Sequence, residues 1–547
     1  MANFKRLSLI LMTSCAGATL AACDGADSVA SPGAGSVIIN PPATPSPTPS
    51  PTGTPTPTPI TAAQFASTSG QTRSDGQTFA ITADEQLAIV NAGMNNNLNG
   101  TGSAINGIYP TSTTSLTTAA NPSTIDNFFT ATNFVGALSG PTDTAFQGWT
   151  CNSSAVTFGG TSTACSNQPA IGTGGSTAAC PTGTTDDGLV QTFRVCRLPQ
   201  VITTNLTLPR IQGVVYRFRG QTEVGVDVGA TGADTNITLT IEAGVVLAAD
   251  SVTEATTDVI IVNRGSRINA VGTATNPIIF TSQQNLTANN VGDATQGQWG
   301  GLIMLGRAPT SVCAAGTGPN NADGSSQTCQ TAVEGVTGRF YGGPNRADNS
   351  GTLQYVQIRF TGVALADGNE VQGLTLGGTG TGTTIDHIQS HNSADDGIEI
   401  FGGTTNIKYF AVTGADDDGF DIDNGYRGFM QFIIAAQKAS GATADSFSTE
   451  IDSNLAEDLL PRTFSTYANF TFIQTAANAP SIIRQRGGSD MRFVNGVVKG
   501  PAGPTCVNLI AQEVSAADRS TIRAADTARQ DVGPPAFNSI YFACQGR

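Results

Sequence analysis

Along residues 393–434 the apolar positions come in short alternating runs such as IKYFAV and GFDI, separated by Gly, Asn and Asp. Alternation over four to six residues predicts strands, and the residues between them predict turns. The runs return at a fixed interval. A shift of 22 residues places Ile385 on Ile407 and then on Phe429, and Ile388 on Phe410 and then on Phe432. The same shift lays DDGIEI (395–400) over DDGFDI (417–422). No continuous helix-period stripe accompanies the repeat, so stacked helical repeats are excluded. Three short strands and three turns per coil, with coils stacked ~4.8 Å apart, predict an all-β solenoid. LTIEAGVVL (239–247), VIIVNRGSRINAVG (259–272) and NPIIFTSQQ (276–284) read as earlier coils. LQYVQIRFTG (353–362), YANFTFIQT (467–475) and MRFVNGVVKG (491–500) read as further ones.

Composition adds a compartment. Charged residues are 12 % of the 547, and 64 are Gly, against an ordinary charged share of ~25 %. This is the profile of a turn-rich exported protein. The net charge of −15 and the lack of a Lys/Arg run exclude nucleic acid as a partner. Lys5, Arg6, a short apolar run and Leu20-Ala21-Ala22-Cys23 have the form of a signal ending in a lipobox, which predicts acylation of Cys23. The proline-rich stretch 41–60 predicts an extended tether, reaching roughly 60 Å at ~3.1 Å per residue. The expected layout is a signal peptide (1–22), anchor and linker (23–62), an N-terminal cap or irregular β region (63–200), the solenoid (201–505) and a C-terminal cap (506–547) with a polar helix in 509–530.

Beyond the signal and Cys23, eight cysteines remain, an even number suited to disulfides in an exported chain. Sequence neighbours suggest Cys151–Cys165, Cys180–Cys196, Cys313–Cys329 and Cys506–Cys544.

ITLTIEAGVVL, VNRGSRINAVGTATNPIIFTS, GQWGGLIMLGRAP, DNSGTLQYVQIRF, ADDGIEIFGG and GADDDGFDIDNGYRGFMQF, with NFFTATNFVGALSGPTDTAFQGWTC upstream (127–151), together form a set. As a set they resemble the right-handed parallel β-helix surface lipoproteins of Gram-negative bacteria, over roughly residues 120–500. The resemblance implies export, a right-handed β-helix and the outer membrane or cell surface, beside outer-membrane receptors. It implies no reaction.

One coil of separation puts Asp395 over Asp417, Asp396 over Asp418 and Glu399 over Asp421. Each such like-charge pair repels by roughly 3 kcal/mol at an effective dielectric near 20. Three outcomes relieve this: a bound cation, protonation, or turn capping in which Asp bonds local amides and the following Gly takes positive φ. With Asp416 and Asp423 nearby, the oxygen-only set Asp395, Asp396, Glu399, Asp416, Asp417, Asp418, Asp421 and Asp423 suits Ca²⁺. The third coil carries Lys438 and Ala439 at the register points, so the stack is expected to stop after two coils.

A polysaccharide-cleaving enzyme is the alternative, because ADDGIE and DDDGFD resemble the paired carboxylates of some β-helix glycosidases, with Asp396, Asp417 and Asp418 as acid and base. The His-Gly element those enzymes carry on the next coil is missing from QKASGATADSFS. The lyase version wants a nearby base, for which Lys438 and Arg427 are the close candidates, while Arg484 and Arg486 sit far along the solenoid. His387 aligns with Tyr409 as a wall residue, and Trp149 and Trp299 read as corner anchors rather than sugar platforms. The reading is a lipid-anchored, Ca²⁺-binding module for a glycan or an outer-membrane partner, with a purely structural surface protein as a further alternative.

Overall fold

The computed structural model describes residues 119–250, 257–287, 291–318, 328–366, 369–438, 446–453, 458–501, 504–510, 521 and 524–543, with short stretches at 36–38, 58–59, 71–72, 78–79, 91–94 and 105. The expected signal segment, Cys23 and Cys544 lie outside the described residues.

One face of the molecule is an eleven-stranded sheet. Ten of its strands run parallel: β1 (Val201–Ile202), β2 (Gln221–Val224), β3 (Val259–Val262), β4 (Leu302–Leu305), β5 (Leu374–Gly377), β6 (Ile398–Phe401), β7 (Phe420–Asp423), β8 (Thr449–Ile451), β9 (Ser481–Gln485) and β10 (Thr505–Ile510). Ser36–Ile38 closes it in antiparallel pairing with β10. The chain passes between successive members of this sheet through a second, seventeen-stranded sheet. This is the winding of a parallel β-helix.

In the early coils the second sheet has two separate strands per winding, such as Arg267–Val271 and Ile278–Ser282. Both pair with the single strand Gly351–Arg359 of the next winding. One residue, Tyr355, replaces the whole connection by turning the chain at φ 52°. His387, Tyr409, Phe432, Asn469, Asn495 and Ser539 repeat this left-handed corner in the later coils. The first four of these corner side chains stack, with ring centroids 4.3, 4.3 and 4.6 Å apart. The wall role expected of His387 is therefore an aromatic ladder.

Inside the tube, alternate side chains form a continuous core: Leu374, Ile398 and Phe420 on one wall, and Ile385, Ile407, Met430, Tyr467 and Phe493 on another. Each such side chain contributes roughly 1.5–3 kcal/mol of burial. The 22-residue register holds for Ile385 over Ile407 and Ile388 over Phe410, then slips by one. Ile407 pairs with Met430, not Phe429, and Phe410 with Ile433, not Phe432. The third coil carries one extra residue before its strand.

Residues 119–171 run lengthwise along the outside of the second sheet. Reciprocal amide pairs hold this strap: Asn495 with the backbone of Ala120, Gln431 with Thr130 and Gln389 with Cys151, all at 2.7–2.9 Å. Trp149 lies edge-on to His387 and Tyr355 of the ladder. Trp299 is buried in the core of the tube against Phe218, its Nε1 donating to the Arg359 carbonyl at 2.8 Å. Neither Trp is a sugar platform.

The disulfides Cys151–Cys165, Cys180–Cys196 and Cys313–Cys329 form as expected. Most of the stretch 509–530 expected to be helical lies outside the described residues; at its ends Leu509 and Ile510 finish β10, and Thr527–Arg529 make a single 3-10 turn. Beyond it Ala536–Ala543 adds another rung to the second sheet, so strands continue past residue 505. They also begin before 201, since Phe193–Arg197 pairs in register with Val214–Phe218.

Candidate functional site

The outward positions of the ten-strand face form one straight row. By register it reads Val201, Glu223, Ile261, Ile303, Thr375, Glu399, Asp421, Glu450, Arg484 and Asn508. Its apolar part is roofed by the excursion between β4 and Gly351. Val333, Val336 and Tyr341 of that excursion pack on Val259, Ile261, Ile303, Leu305 and Phe401. On the N-terminal side of the roof, Gln200, Val201, Gln221, Glu223, Val259 and Val336 line a pocket of about 520 Å³. There Arg339 and Asn263 hold the Glu223 carboxylate.

On the other side of the roof the row becomes acidic, over three consecutive rungs: Glu399, Asp421 and Glu450. The expected end after two coils is thus corrected. The offset from β7 to β8 is 29 residues, not 22, so Asp421 pairs with Glu450 and its column stays acidic for a third rung, while the same offset carries Asp417 to Ser446 rather than Ala439. Arg484 then follows Glu450 in the row at 3.6 Å, and Arg486 reaches both Glu450 and Asp452 at 2.7 Å. The two arginines expected far along the solenoid are immediate neighbours of the acidic row.

Two trios of carboxylates converge here. Oxygens of Asp395, Asp396 and Asp417 lie within 4.8 Å of one another, and so do oxygens of Asp396, Glu399 and Asp421. Glu399 is 3 % exposed, and its Oε2 makes no hydrogen bond. A buried carboxylate oxygen without a donor costs free energy unless a proton or cation meets it. Burial pushes the Asp395, Asp396, Glu399, Asp418 and Asp421 carboxyls well above the usual range, and neighbouring acids add to the effect. Glu334, at the roof's edge, is pushed up to about 8 by burial and by its neighbours Glu370 and Asp423, although the Glu370 amide donates to it at 3.2 Å.

The remaining expected ligands do other work. Asp418 Oδ1 accepts the Phe447 amide of the next coil at 2.6 Å. Asp396 Oδ1 accepts the Asp418 amide at 2.8 Å in the same way. Turn capping between rungs is therefore part of what these aspartates do, and Asp396 both caps and joins the trios. Asp416 belongs to neither trio and is paired with Lys438 at 3.3 Å, accepting from Gln296 at 2.6 Å. Asp423 Oδ1 accepts the Asn424 amide at 2.6 Å. The glycines of the two DDG turns do not take the expected positive φ. Gly397 is required by space: a Cβ there would lie 2.7 Å from Val412 Cγ2 and 2.9 Å from the Gly419 carbonyl.

Neither histidine serves the row. His391 is buried, its Nδ1 bonded to Thr413 Oγ1 at 2.9 Å, and burial and Arg359 push it down to about 3. Arg427 is held by the Arg462 carbonyl and Gln530 and faces the Phe464 ring.

Glu334, Glu370, Glu450 and Asp452 were missed from the sequence. The signal for the last two was present: TEID (449–452) repeats the FDID of β7, with a spacing of 29 rather than 22.

The fold and this face together define a parallel β-helix protein with an acidic outer row. A family model described as a pectate-lyase like beta helix domain matches residues 202–534. That is more than half of the 547 residues, and the chain belongs to this family. Comparisons with the curated proteins and with the solved structures each return no match.

Proposed function

We propose that this chain is a lipid-anchored β-helix protein of a Gram-negative cell surface that binds a glycan or an outer-membrane partner, with Ca²⁺ held by the acidic row. The observation that carries the cation is that Glu399, whose buried Oε2 makes no hydrogen bond, brings a carboxylate oxygen within 4.8 Å of Asp396 and Asp421 oxygens. Oxygens sharing one Ca²⁺ at 2.3–2.6 Å lie at most ~5 Å apart, whereas around Mg²⁺ at 2.0–2.1 Å they lie at most ~4.2 Å apart. The pocket lined by Gln200, Gln221 and Val201, on the same face but across the roof from the acidic row, supports ligand binding. The lipobox ending in Cys23 supports the anchor. Retention of the full chain on polysaccharides and on outer-membrane preparations, in Ca²⁺ and in chelator, tests the reading. It requires Ca²⁺-dependent retention on one of them, and equal retention in chelator contradicts it.

The family match and the position of Arg484 and Arg486 favour a second reading, a polysaccharide-cleaving enzyme. Release of reducing ends or unsaturated products from a polysaccharide panel decides for it. Silence across the panel decides against it.

A further inference from the structure

From the charge balance of the pocket on the N-terminal side of the roof, we infer that this pocket is a binding site for an uncharged sugar residue, filled without any cation. This rests on the glycan reading above and names the class of glycan. Of the described residues lining the pocket, only Glu223 is ionisable. Its carboxylate is not offered to a ligand as a free charge. Arg339 donates to both of its oxygens, through Nη2 to Oε1 and through Nε to Oε2 at 3.1 Å, and Asn263 Nδ2 donates to Oε2 at 2.8 Å. A paired guanidinium and carboxylate cancel, so the pocket favours neither an anion nor a cation.

The rest of the lining suits hydroxyl groups and ring carbons. Gln200, Gln221 and Thr337 are exposed and Thr257 is half-buried. Their amides and hydroxyls both donate and accept hydrogen bonds, as the hydroxyls of a sugar do. Val201, Val259 and Val336 supply apolar surface for the ring. Val201 is one of the few large apolar side chains left exposed among the described residues. It is paired with Glu223 on the neighbouring rung, and Gln221 lies two residues before Glu223 on β2. The pocket, at about 520 Å³, has the size of a small-ligand site. No residue lining it belongs to either carboxylate trio, so a short oligosaccharide seated here does not depend on the cation, whereas retention of a long polysaccharide draws on both sides of the roof.

Titration of the full chain with neutral gluco-, manno- and galacto-oligosaccharides of two to four residues, with galacturonate oligosaccharides of the same lengths and with a neutral tripeptide tests this, each in Ca²⁺ and in chelator, read by saturation-transfer NMR. A neutral series is expected to bind equally in both conditions, and the uronates and the tripeptide to fail in chelator. Gln200→Ala and Gln221→Ala are each expected to weaken neutral binding by roughly 3- to 10-fold. Both side chains are exposed, so these variants keep the fold. Glu223→Gln frees the Arg339 guanidinium and is expected to gain uronate binding in chelator; if it fails to fold, the two glutamine variants decide. No binding by any neutral series, neutral binding that both glutamine variants leave unchanged, or tighter binding of the tripeptide overturns the sugar site. Uronates that match the neutral series on the unaltered chain in chelator, or a folded Glu223→Gln that gains none, overturn the selection by charge. Neutral binding with equal polysaccharide retention in Ca²⁺ and in chelator overturns the cation reading and leaves the pocket standing.

Discussion

Asp421 lies directly beneath Glu399, paired with it on neighbouring parallel strands, and their carboxylate oxygens approach within 4.8 Å with almost no solvent around Glu399. Both side chains leave the same face of neighbouring rungs, and Glu399 is buried there, so its charge is not carried out into solvent. The charge must instead be met by protons or by cations, and both responses are measurable.

The first consequence is an unusual pH dependence. Burial and mutual repulsion raise Asp395, Asp396, Glu399, Asp418 and Asp421 well above their ordinary values, and Glu334 to about 8. The folded chain therefore holds protons that the unfolded chain has released above pH ~4.5. Stability falls as pH rises from there through the folded values. In chelator, thermal melting is expected to be highest near pH 5 and to decline steadily to pH 8. Millimolar Ca²⁺, which binds the ionised form, is expected to leave the pH 5 melt unchanged and to raise the pH 8 melt.

Neutralising one member of the pair removes the repulsion. Glu399→Gln keeps shape and burial while deleting a charge that repels its neighbour by about 3 kcal/mol. In chelator at pH 8 its melting temperature is expected to rise by roughly 2–6 °C. The Ca²⁺-induced rise is expected to shrink or vanish. Differential scanning fluorimetry with and without chelator reads both effects.

Asp418 is expected to behave in the opposite way. Its oxygen caps the Phe447 amide at 2.6 Å, and it belongs to neither trio. Asp418→Ala strands a buried amide at a cost of about 1–3 kcal/mol. The melt is expected to fall in Ca²⁺ and in chelator alike, with Ca²⁺ affinity retained in titration.

The strap carries a prediction independent of the cation. Gln389 accepts from the Cys151 amide at 2.7 Å and donates to its carbonyl at 2.9 Å. Gln389→Ala leaves both groups unmet, again about 1–3 kcal/mol. Hydrogen exchange around residues 149–152 is expected to accelerate, while strands β6 to β8 stay protected.

Much of this molecule could be read from the chain because a solenoid maps sequence distance onto space. The offset that carries Glu399 onto Asp421 in the sequence is the one that pairs them in the sheet. The same logic failed where a coil changed length. One extra residue before Met430 turned Phe432 from the expected core position into a corner of the aromatic ladder. A longer loop ahead of β8 hid Glu450, and with it the proximity of Arg484 and Arg486. Glu334 and Glu370 escaped notice for a different reason. They come from excursions outside the repeating coil, whose folding back over the sheet depends on Val333, Val336 and Tyr341 finding Ile261 and Ile303. Nor did spacing reveal which aspartates cap amides and which converge, because a carboxylate after a turn suits both roles until the next rung's backbone is in place.

The central claim, that consecutive rungs gather carboxylates around a cation, is tested most directly by anomalous diffraction from crystals of the chain soaked in a Ca²⁺ surrogate such as Mn²⁺. The account predicts an anomalous peak enclosed by Asp396, Glu399 and Asp421. A map with no anomalous density among those three side chains, in crystals whose soak reaches that face, would contradict it.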